Sequence, residues 1–334
     1  MNNHKSLMFS EVSETPQRFR LHAQQHAELY KDLAQQIRKF APEYVYIVGR
    51  GTSDHAGVFA KYLIEVELGI PVSSAAPSVA SIFGKSLDLK RALVIIISQS
   101  GRSPDVLAQA KSAKASGALC VALVNDESSP LKDIADVFVP LLAGPEKAVA
   151  ATKTYLCTLF SILHIVAYWK NDQRLLSQLS NLPDLMNDVQ FANPQLRLDV
   201  LQNLRHCVVL GRGFGYAIAR EIALKIKEIC TIQAEAFSSA EFLHGPISLL
   251  NKEMTIIDVS VFDESIAAHS EQITEIKKRG GKVATLHVVN TNISPRLLPL
   301  LIMQRFYLDI EHVAQQMGCD PDSPVGLNKV TQTV

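Results

Sequence analysis

Polar side chains that can hold an anion follow directly after an apolar run. Residues 92–97 are all apolar, and the polar side chains behind them are Ser98, Gln99, Ser100 and Ser103. A run in which apolar residues do not alternate with polar ones is typical of a parallel-sheet strand that is buried on both faces. Ser103 and the proline after it fit a helix start, where free N–H groups and the helix dipole attract anions. The sequence therefore predicts a phosphate-binding loop; the alternative is an ordinary capped loop.

Three charged residues fall on one face of a predicted helix. Glu221, Lys225 and Glu228 are spaced by four and three residues, so their side chains are neighbours on the helix surface. The flanking positions are mostly isoleucine, leucine and alanine. Two interpretations stay open: a surface stripe with a Glu–Lys pair, and charged groups in a cavity where a carboxylate can act as a base.

His244 stands just before Gly245 and Pro246, where a helix must end. An imidazole at such a loop edge can titrate near neutrality and exchange protons with a substrate. The alternative is a histidine that only ends the helix. A histidine, a carboxylate and a lysine beside a phosphate-binding loop would suffice for proton transfer on a sugar phosphate.

Metal and dinucleotide binding are disfavoured. His22 and His26 are four residues apart on a predicted leading helix, a spacing that could hold a metal, but no third ligand lies nearby in sequence. We expect both to be solvated surface histidines. The Gly49-Arg50-Gly51 turn follows a predicted strand, but Asp54 stands where the dinucleotide fingerprint needs a third glycine. We therefore expect no cofactor and no metal.

The second half of the chain repeats the first. Residues 208–213 resemble 47–51, and the offset of about 162 residues also places Ser98 on Ser260. An offset of about 163 places Gly117, a predicted helix end, on Gly280. The coincidence indicates an internal duplication. The second copy has carboxylates at 263–264, near the position of the phosphate-binding loop, and these should repel a phosphate.

Alternating strand and helix patterns indicate an α/β fold of two tandem units, each a doubly wound, mainly parallel five-stranded sheet flanked by helices. The predicted organisation is a leading helix (1–43), a phosphate-binding domain (44–170), a helical connector (171–205), a second domain with the charged helix (206–320) and a C-terminal tail (321–334).

Composition limits the choice of partners and compartment. The 334 residues are 47% hydrophobic and carry 33 basic and 33 acidic side chains, so no net field favours nucleic acid or an anionic membrane. The five cysteines include no C-x-x-C pair, a pattern typical of reduced thiols in the cytoplasm. No stretch is apolar for long enough to predict a membrane span.

With these motifs in place, the sequence resembles the sugar isomerase (SIS) domain family, most closely the isomerase half of the glucosamine-6-phosphate synthases. The resemblance begins near Tyr44 and covers nearly all of the chain beyond it. The matching motifs lie at residues 51–53, 98–101, 149–153, 223–229, 234–236, 241–246 and 327–331.

The resemblance implies two SIS domains per chain and a homodimer with a phosphosugar site at the subunit interface. It assigns the phosphate to Ser98, Gln99, Ser100 and Ser103, and further substrate contacts to Thr52, Ser53, Val149 and Ala151. Glu228 resembles the base that moves a proton between C1 and C2, with Lys225 as its charge partner. His244, from the neighbouring subunit, resembles the ring-opening residue, and Lys329 the tail lysine that closes over the site.

Two departures from the synthase pattern are Ala151 in place of a serine and Arg102 in place of a glutamate; the latter adds a positive charge near the predicted loop. Residues 1–40 can supply only a helix, so we expect no glutaminase domain and no built-in ammonia source. The resemblance then implies a deaminase that converts glucosamine 6-phosphate to fructose 6-phosphate and ammonia. The alternatives are a deglycase acting on amino-acid conjugates of fructosamine 6-phosphate and a non-catalytic phosphosugar-binding regulator.

Overall fold

The computed structural model describes residues 5–251 and 254–329. Contacts group the chain into two units, which we describe separately. Unit A comprises Gln17–Glu146 and Lys153–Ser180. Unit B comprises residues 5–16, Lys147–Thr152 and the described part of Asn181–Lys329. Val330 and Thr331, which belong to the last matching motif, lie outside the described residues.

Five strands and nine helices precede residue 205 within the described residues. The strands are β1 (Tyr44–Val48), β2 (Val72–Ser74), β3 (Ala92–Ser98), β4 (Leu119–Val124) and β5 (Val137–Pro140). The helices are α1 (Leu7–Ser13), α2 (Thr15–Phe40), α3 (Thr52–Leu68), α4 (Ser78–Ser81), α5 (Pro104–Ala115), α6 (Leu131–Ile134), α7 (Lys153–Lys170), α8 (Gln173–Gln190) and α9 (Leu198–Leu201).

The rest of the described chain adds four strands and four α-helices. The strands are β6 (His206–Gly211), β7 (Gln233–Ser238), β8 (Thr255–Ser260) and β9 (Lys282–His287). The helices are α10 (Phe214–Cys230), α11 (Ser239–Leu243), α12 (Ile266–Lys278) and α13 (Leu298–Gln316). Two short 3-10 helices span Pro246–Asn251 and Pro295–Leu297.

Unit A contains a five-stranded parallel sheet in the order β2-β1-β3-β4-β5. Its central strand, β3, is buried at all seven positions, as expected for a strand covered on both faces. The strand order reverses direction between β1 and β3, and in such sheets ligands bind outside the carboxyl ends of the strands at this point. The predicted phosphate-binding loop follows β3 at this edge.

Unit B contains a parallel sheet in the order β7-β6-β8-β9, so the two-sheet α/β architecture is confirmed. The sheet has four strands within the described residues, where five were expected. After β9 only Val288 and Val289 are consecutive apolar residues before the 3-10 helix at Pro295, which is too short a run for a further strand. The Gln195 side chain bonds both the N–H (2.8 Å) and the C=O (2.7 Å) of His287, pairing with this end of the edge strand as a backbone would.

The internal duplication is confirmed in detail. Helices α3 and α10 are both 17 residues long. The glycines before them, Gly51 and Gly213, have nearly identical backbone angles (φ 52° and 54°, ψ −126° and −125°). Because φ is positive at both, glycine is favoured in each copy. The two halves therefore share the strand–turn–helix unit that the repeated sequence predicted.

His22 and His26 are buried, so the expectation that they are solvated was wrong. His22 is fully buried and donates from Nδ1 to the carbonyl oxygen of Leu141 (3.1 Å); His26 donates from Nε2 to that of Pro140 (2.8 Å). These carbonyls lie where β5 ends, and the rings satisfy them as α2 packs there. Because many of the neighbouring residues in the sequence are polar, the sequence did not indicate that this face of α2 is buried.

Candidate active-site residues

The predicted phosphate-binding loop has the strand–loop–helix form that its sequence suggested. Strand β3 ends at Ser98, and α5 begins at Pro104 with Ser103 at the N-cap position. The Ser103 hydroxyl makes no capping hydrogen bond to the helix. The Ser98 hydroxyl instead shapes the loop, because its oxygen accepts the N–H of Gly101 (2.9 Å). The half-buried side chains of Gln99, Ser100 and Ser103 remain along the loop.

Gly101 fixes the turn of this loop. Its φ of +62° favours glycine, and a Cβ atom there would lie 2.0 Å from Oγ of Ser129. The Ser129 hydroxyl donates to the carbonyl oxygen of Gly101 (3.0 Å), and the N–H of Asp126 donates to that of Gln99 (3.1 Å). The loop is thus held from one side by the segment after β4.

Arg50 supplies a cation beside α5 that the sequence analysis did not assign to substrate binding. Its Nε donates to Asp105 Oδ2 (2.7 Å) in the first turn of α5; the Asp105 side chain is fully buried, and that of Arg50 is 48% exposed. Arg102, expected to add positive charge, pairs with Asp126 (3.1 Å), so that its charge, like that of Arg50 beside Asp105, is partly offset. The one feature of the sequence that could have indicated a role for Arg50 is the Gly-Arg-Gly turn, which recurs around Arg212.

Thr52 and Ser53 open α3 directly after the glycine turn that follows β1. Strands β1 and β3 are parallel neighbours, so their carboxyl ends lie at the same edge of the sheet. Both side chains are half-buried. Six of the predicted substrate-binding residues thus follow adjacent strands of unit A: Thr52, Ser53, Ser98, Gln99, Ser100 and Ser103.

The charged stripe on α10 faces inward. Nζ of Lys225 lies 3.1 Å from Oε1 of Glu221 and 2.5 Å from Oε2 of Glu228. The side chains of Glu221 and Lys225 are fully buried, whereas that of Glu228 is 24% exposed. The hydroxyl of Tyr307 donates to Glu221 (3.2 Å). Of the two interpretations left open by the sequence, burial contradicts the surface stripe, and Glu228 is the member of the cluster in contact with solvent.

The cluster keeps Lys225 charged although it is buried. Burial opposes the ammonium charge, but the adjacent Glu221 and Glu228 carboxylates outweigh it and raise the pKa of Lys225 above its ordinary value. The Lys225 ammonium group lies 2.5 Å from Oε2 of Glu228. The arrangement can therefore present a carboxylate base next to a fixed positive charge.

His244 is exposed at the end of α11, where its N–H donates to the carbonyl oxygen of Glu241 (3.0 Å). The next residue, Gly245, has φ of +128°, so the chain turns sharply there. The start of α11 is anchored by a buried hydrogen-bond chain: Oγ of Ser239 lies 2.9 Å from Nδ1 of His269, whose Nε2 lies 2.7 Å from Asp258. His244 is thus an accessible imidazole on an anchored helix.

Val149 and Ala151 are the half-exposed positions of the loop Lys147–Thr152, and they alternate with the buried Ala148 and Ala150. Nζ of Lys329, near the end of the described chain, donates to the carbonyl oxygen of Ala148 (2.7 Å). The tail lysine and the loop predicted to contact the sugar are therefore in contact within unit B.

In the second copy of the repeat, carboxylates occupy the position of the phosphate-binding loop. Asp263 accepts both the N–H (2.8 Å) and the hydroxyl (2.6 Å) of Ser265. Glu264 binds Arg296 through two hydrogen bonds (2.7 and 2.8 Å), which lower the pKa of Glu264 to about 2. The N–H and hydroxyl of Ser265 and the guanidinium of Arg296 already bind carboxylates of the chain itself. This copy is therefore unsuited to bind phosphate.

The predicted substrate-binding and catalytic residues are divided equally between the units. Unit A holds the six residues after β1 and β3; unit B holds Val149, Ala151, Lys225, Glu228, His244 and Lys329. Within residues 5–251 and 254–329, no group of three or more potential ligands is arranged to hold a metal ion. In the same part of the chain, no helix is long and apolar enough to cross a membrane.

In a comparison with known protein families, the family described as "SIS domain" matches residues 41–167 and 200–296 of this chain. Among curated proteins, glutamine--fructose-6-phosphate aminotransferase [isomerizing] of Thermotoga maritima is 34% identical over 313 residues. The protein of the same name from Clostridium acetobutylicum is 32% identical over 312 residues. Each match covers 85% of this chain and 51% of the relative, so the chain spans about half the length of these curated relatives.

Two solved structures cover almost the whole chain. A Silicibacter pomeroyi protein, provisionally named a phosphosugar isomerase, is 33% identical with a TM-score of 0.87, covering 95% of this chain and 100% of its own. The C-terminal domain of glucosamine-fructose-6-phosphate aminotransferase from Francisella tularensis is 26% identical with a TM-score of 0.82, covering 97% and 99%.

Proposed function

The chain belongs to the SIS domain family, and we propose that it is an enzyme that moves a proton between C1 and C2 of a phosphosugar. More specifically, we propose that it converts glucosamine 6-phosphate to fructose 6-phosphate and ammonia. The observation that carries the proposal is the buried Glu221–Lys225–Glu228 cluster, which presents one accessible carboxylate beside a fixed cation. A charged cluster buried this deeply costs stability, which favours a functional reason for its presence.

The phosphate group would be held by the loop after β3, where Ser100 and Ser103 offer hydroxyls at the start of α5 and Arg50 adds a cation. Because the phosphate is distant from the reacting carbons, it acts as the handle that orients the substrate. The carboxylates of Asp263 and Glu264 leave the second copy unable to compete for it.

The chemistry requires proton transfers and one water. His244 assists opening of the sugar ring, giving the aldehyde at C1 with the amine at C2. Glu228 removes the C2 proton; the C2–H electron pair forms the C1–C2 double bond of an enolamine while the C1=O π pair moves to the oxygen, which takes up a proton. Return of a proton to C1 gives the ketimine at C2; water adds there and ammonia leaves, forming the ketone of fructose 6-phosphate.

Two substrates distinguish the general proposal, proton transfer between C1 and C2 of a phosphosugar, from the specific one, deamination of glucosamine 6-phosphate. With glucosamine 6-phosphate, purified protein should release ammonia and fructose 6-phosphate in equal amounts. With glucose 6-phosphate, formation of fructose 6-phosphate without added amine tests proton transfer alone. Isomerisation without ammonia release from the amino sugar would overturn the deaminase proposal, and inactivity on both would overturn the enzyme proposal. Faster turnover of an amino-acid conjugate of fructosamine 6-phosphate would replace deamination by deglycation.

We further propose a homodimer in which His244 acts on substrate bound by the partner subunit, because this imidazole is exposed at the end of α11. Hybrid dimers test this. Inactive Glu228→Gln and His244→Ala chains, unfolded and refolded together in equal amounts, should recover about a quarter of wild-type activity, because half the dimers are hybrids with one intact site of two. If both residues acted within one chain, the mixture would stay inactive.

Reducing conditions suit this enzyme, since all five cysteines are free and four of them are buried. Burial raises the pKa of the Cys207 and Cys230 thiols to about 12, which keeps them protonated and unreactive. We place the reaction in the cytoplasm. Full activity in millimolar dithiothreitol supports this assignment, and a requirement for oxidation would contradict it.

A further inference from the structure

The loop Lys147–Thr152 is held by a carboxylate from the first helix of the chain. Oε1 of Glu11 accepts the N–H of Lys147 (2.5 Å), and Oε2 accepts the N–H of Ala148 (3.3 Å). Glu11 is 6% exposed, so these bonds form away from bulk water. Bonds from N–H groups to a carboxylate are about twice as strong as bonds between neutral groups.

Helix α1 is itself fixed by the C-terminal tail. The carboxylate of Asp322 accepts the N–H groups of Leu7 and Met8, both at 2.8 Å, at the start of α1. The backbone carbonyl of Asp322 also accepts the N–H of Val149 (2.9 Å). Helix, loop and tail therefore form one connected hydrogen-bonded set within unit B.

The bonding pattern changes along the loop. The N–H groups of Lys147, Ala148 and Val149 all have partners. Those of Ala150 and Ala151 have none within the part of the chain that the structure describes. The first half of the loop is thus fixed, and the second half keeps backbone donors available next to the half-exposed Ala151.

We propose that Glu11 is a positioning residue for phosphosugar binding and acts through this loop. By fixing the N–H groups of Lys147 and Ala148, it sets the direction in which the following N–H groups meet the sugar. Helix α1 lies before the region matched by the family model, which starts at residue 41. The proposal rests on the proposed function, because it assigns the loop to the substrate.

Glu11→Gln is the decisive change because it keeps the size of the side chain. The amide can accept one of the two N–H groups but turns its own NH₂ toward the other, so one bond is replaced by a donor–donor contact. The loop should then sample several conformations. Ser10→Ala is the matched control, because Ser10 is exposed on the same helix and its hydroxyl bonds only the carbonyl of Ser6 (3.0 Å).

Two measurements are needed. Amide hydrogen exchange across residues 147–152 should speed up by about tenfold in Glu11→Gln and stay unchanged in Ser10→Ala. The KM for glucosamine 6-phosphate should rise by about tenfold while kcat changes by less than about twofold, because binding rather than proton transfer is affected. Asp322→Asn, which weakens the anchor of α1, should move both quantities in the same direction.

The two readouts separate this proposal from the proposed function. If the wild type has no activity, exchange at residues 147–152 with and without glucosamine 6-phosphate still reports whether the loop binds substrate and whether Glu11 orders it. Equal exchange and equal KM in Glu11→Gln and Ser10→Ala would overturn the positioning role. A fall in kcat at unchanged KM would overturn it as well, since that would assign Glu11 to the chemical step.

Discussion

The ammonium group of Lys225 lies 2.5 Å from the carboxylate of Glu228, about one turn away on α10. The lysine is fully buried, while the glutamate retains contact with solvent. A pair with this asymmetry keeps its cation fixed and leaves its carboxylate able to meet a substrate. The relationship explains why charged residues occur on the buried side of α10, where the other buried residues are apolar.

Replacing Lys225 by Met should destabilise the protein by about 3–5 kcal/mol, because it leaves the buried Glu221 without its cation. Urea unfolding monitored by circular dichroism measures this directly. Lys227→Met is the matched control, since Lys227 is exposed on the same helix. Addition of Glu221→Gln to Lys225→Met should recover part of the loss; equal stability of the two lysine variants would contradict the buried-cluster account.

Gly101→Ala should abolish phosphosugar binding while leaving the fold intact. The new methyl group would meet the Ser129 hydroxyl at 2.0 Å in a backbone conformation that already favours glycine, so the phosphate-binding loop must shift. Isothermal titration with glucosamine 6-phosphate checks the loss. Gly69→Ala, with φ of +67° but open space around its Cβ, controls for backbone strain alone. Unchanged affinity in Gly101→Ala would remove this loop from phosphate binding.

Arg50→Ala should weaken binding of the phosphosugar by about tenfold, because it removes a half-exposed cation that pairs with the Asp105 carboxylate in the first turn of α5. Adding Asp105→Asn should restore part of the affinity. Arg91→Ala serves as the control, since Arg91 forms an exposed pair with Glu43 elsewhere in unit A. Unchanged affinity in Arg50→Ala, or an equal loss in Arg91→Ala, would contradict a role for Arg50.

Stability should fall between pH 6.5 and 4. Burial lowers the pKa of His164 to about 4 and also lowers that of His22, so the folded state binds fewer protons than the unfolded state in this range. Stability is therefore complete above pH 6.5 and is lost as the pH falls, by about 3 kcal/mol from His164 alone.

Urea unfolding at several pH values should show this slope of the free energy of unfolding against pH. His164→Phe, which keeps a ring against Phe160, should show a shallower one. His312→Gln, at an exposed position, should keep the wild-type slope. Identical slopes in wild type and His164→Phe would contradict the assignment.

Local patterns predicted the central strand β3, the turn at Gly51 and the helix start at Pro104, because each depends on residues within a few positions of one another. They could not predict that His22 and His26 are buried, since this depends on carbonyls at Pro140 and Leu141. Five strands were expected in unit B and four occur within the described residues, because the apolar run after β9 is too short for a further strand.

The prediction of candidate site residues from the sequence was limited in the same way. Ser98 and Gly101 were found because they form one loop, and the face shared by Glu221, Lys225 and Glu228 follows from helical periodicity. The bonds of Glu11 and Asp322 join positions more than 100 residues apart. No spacing in the sequence indicates such pairs, and only the folded chain brings them together.

The most direct test of the account follows the C2 hydrogen of the substrate. With glucosamine 6-phosphate deuterated at C2, the wild type should release ammonia while deuterium moves to C1 of fructose 6-phosphate or exchanges into water. Glu228→Gln should bind the substrate with similar affinity, retain the deuterium at C2 and release no ammonia. Deuterium loss and ammonia release at wild-type rates in Glu228→Gln would contradict the assignment of this carboxylate as the base.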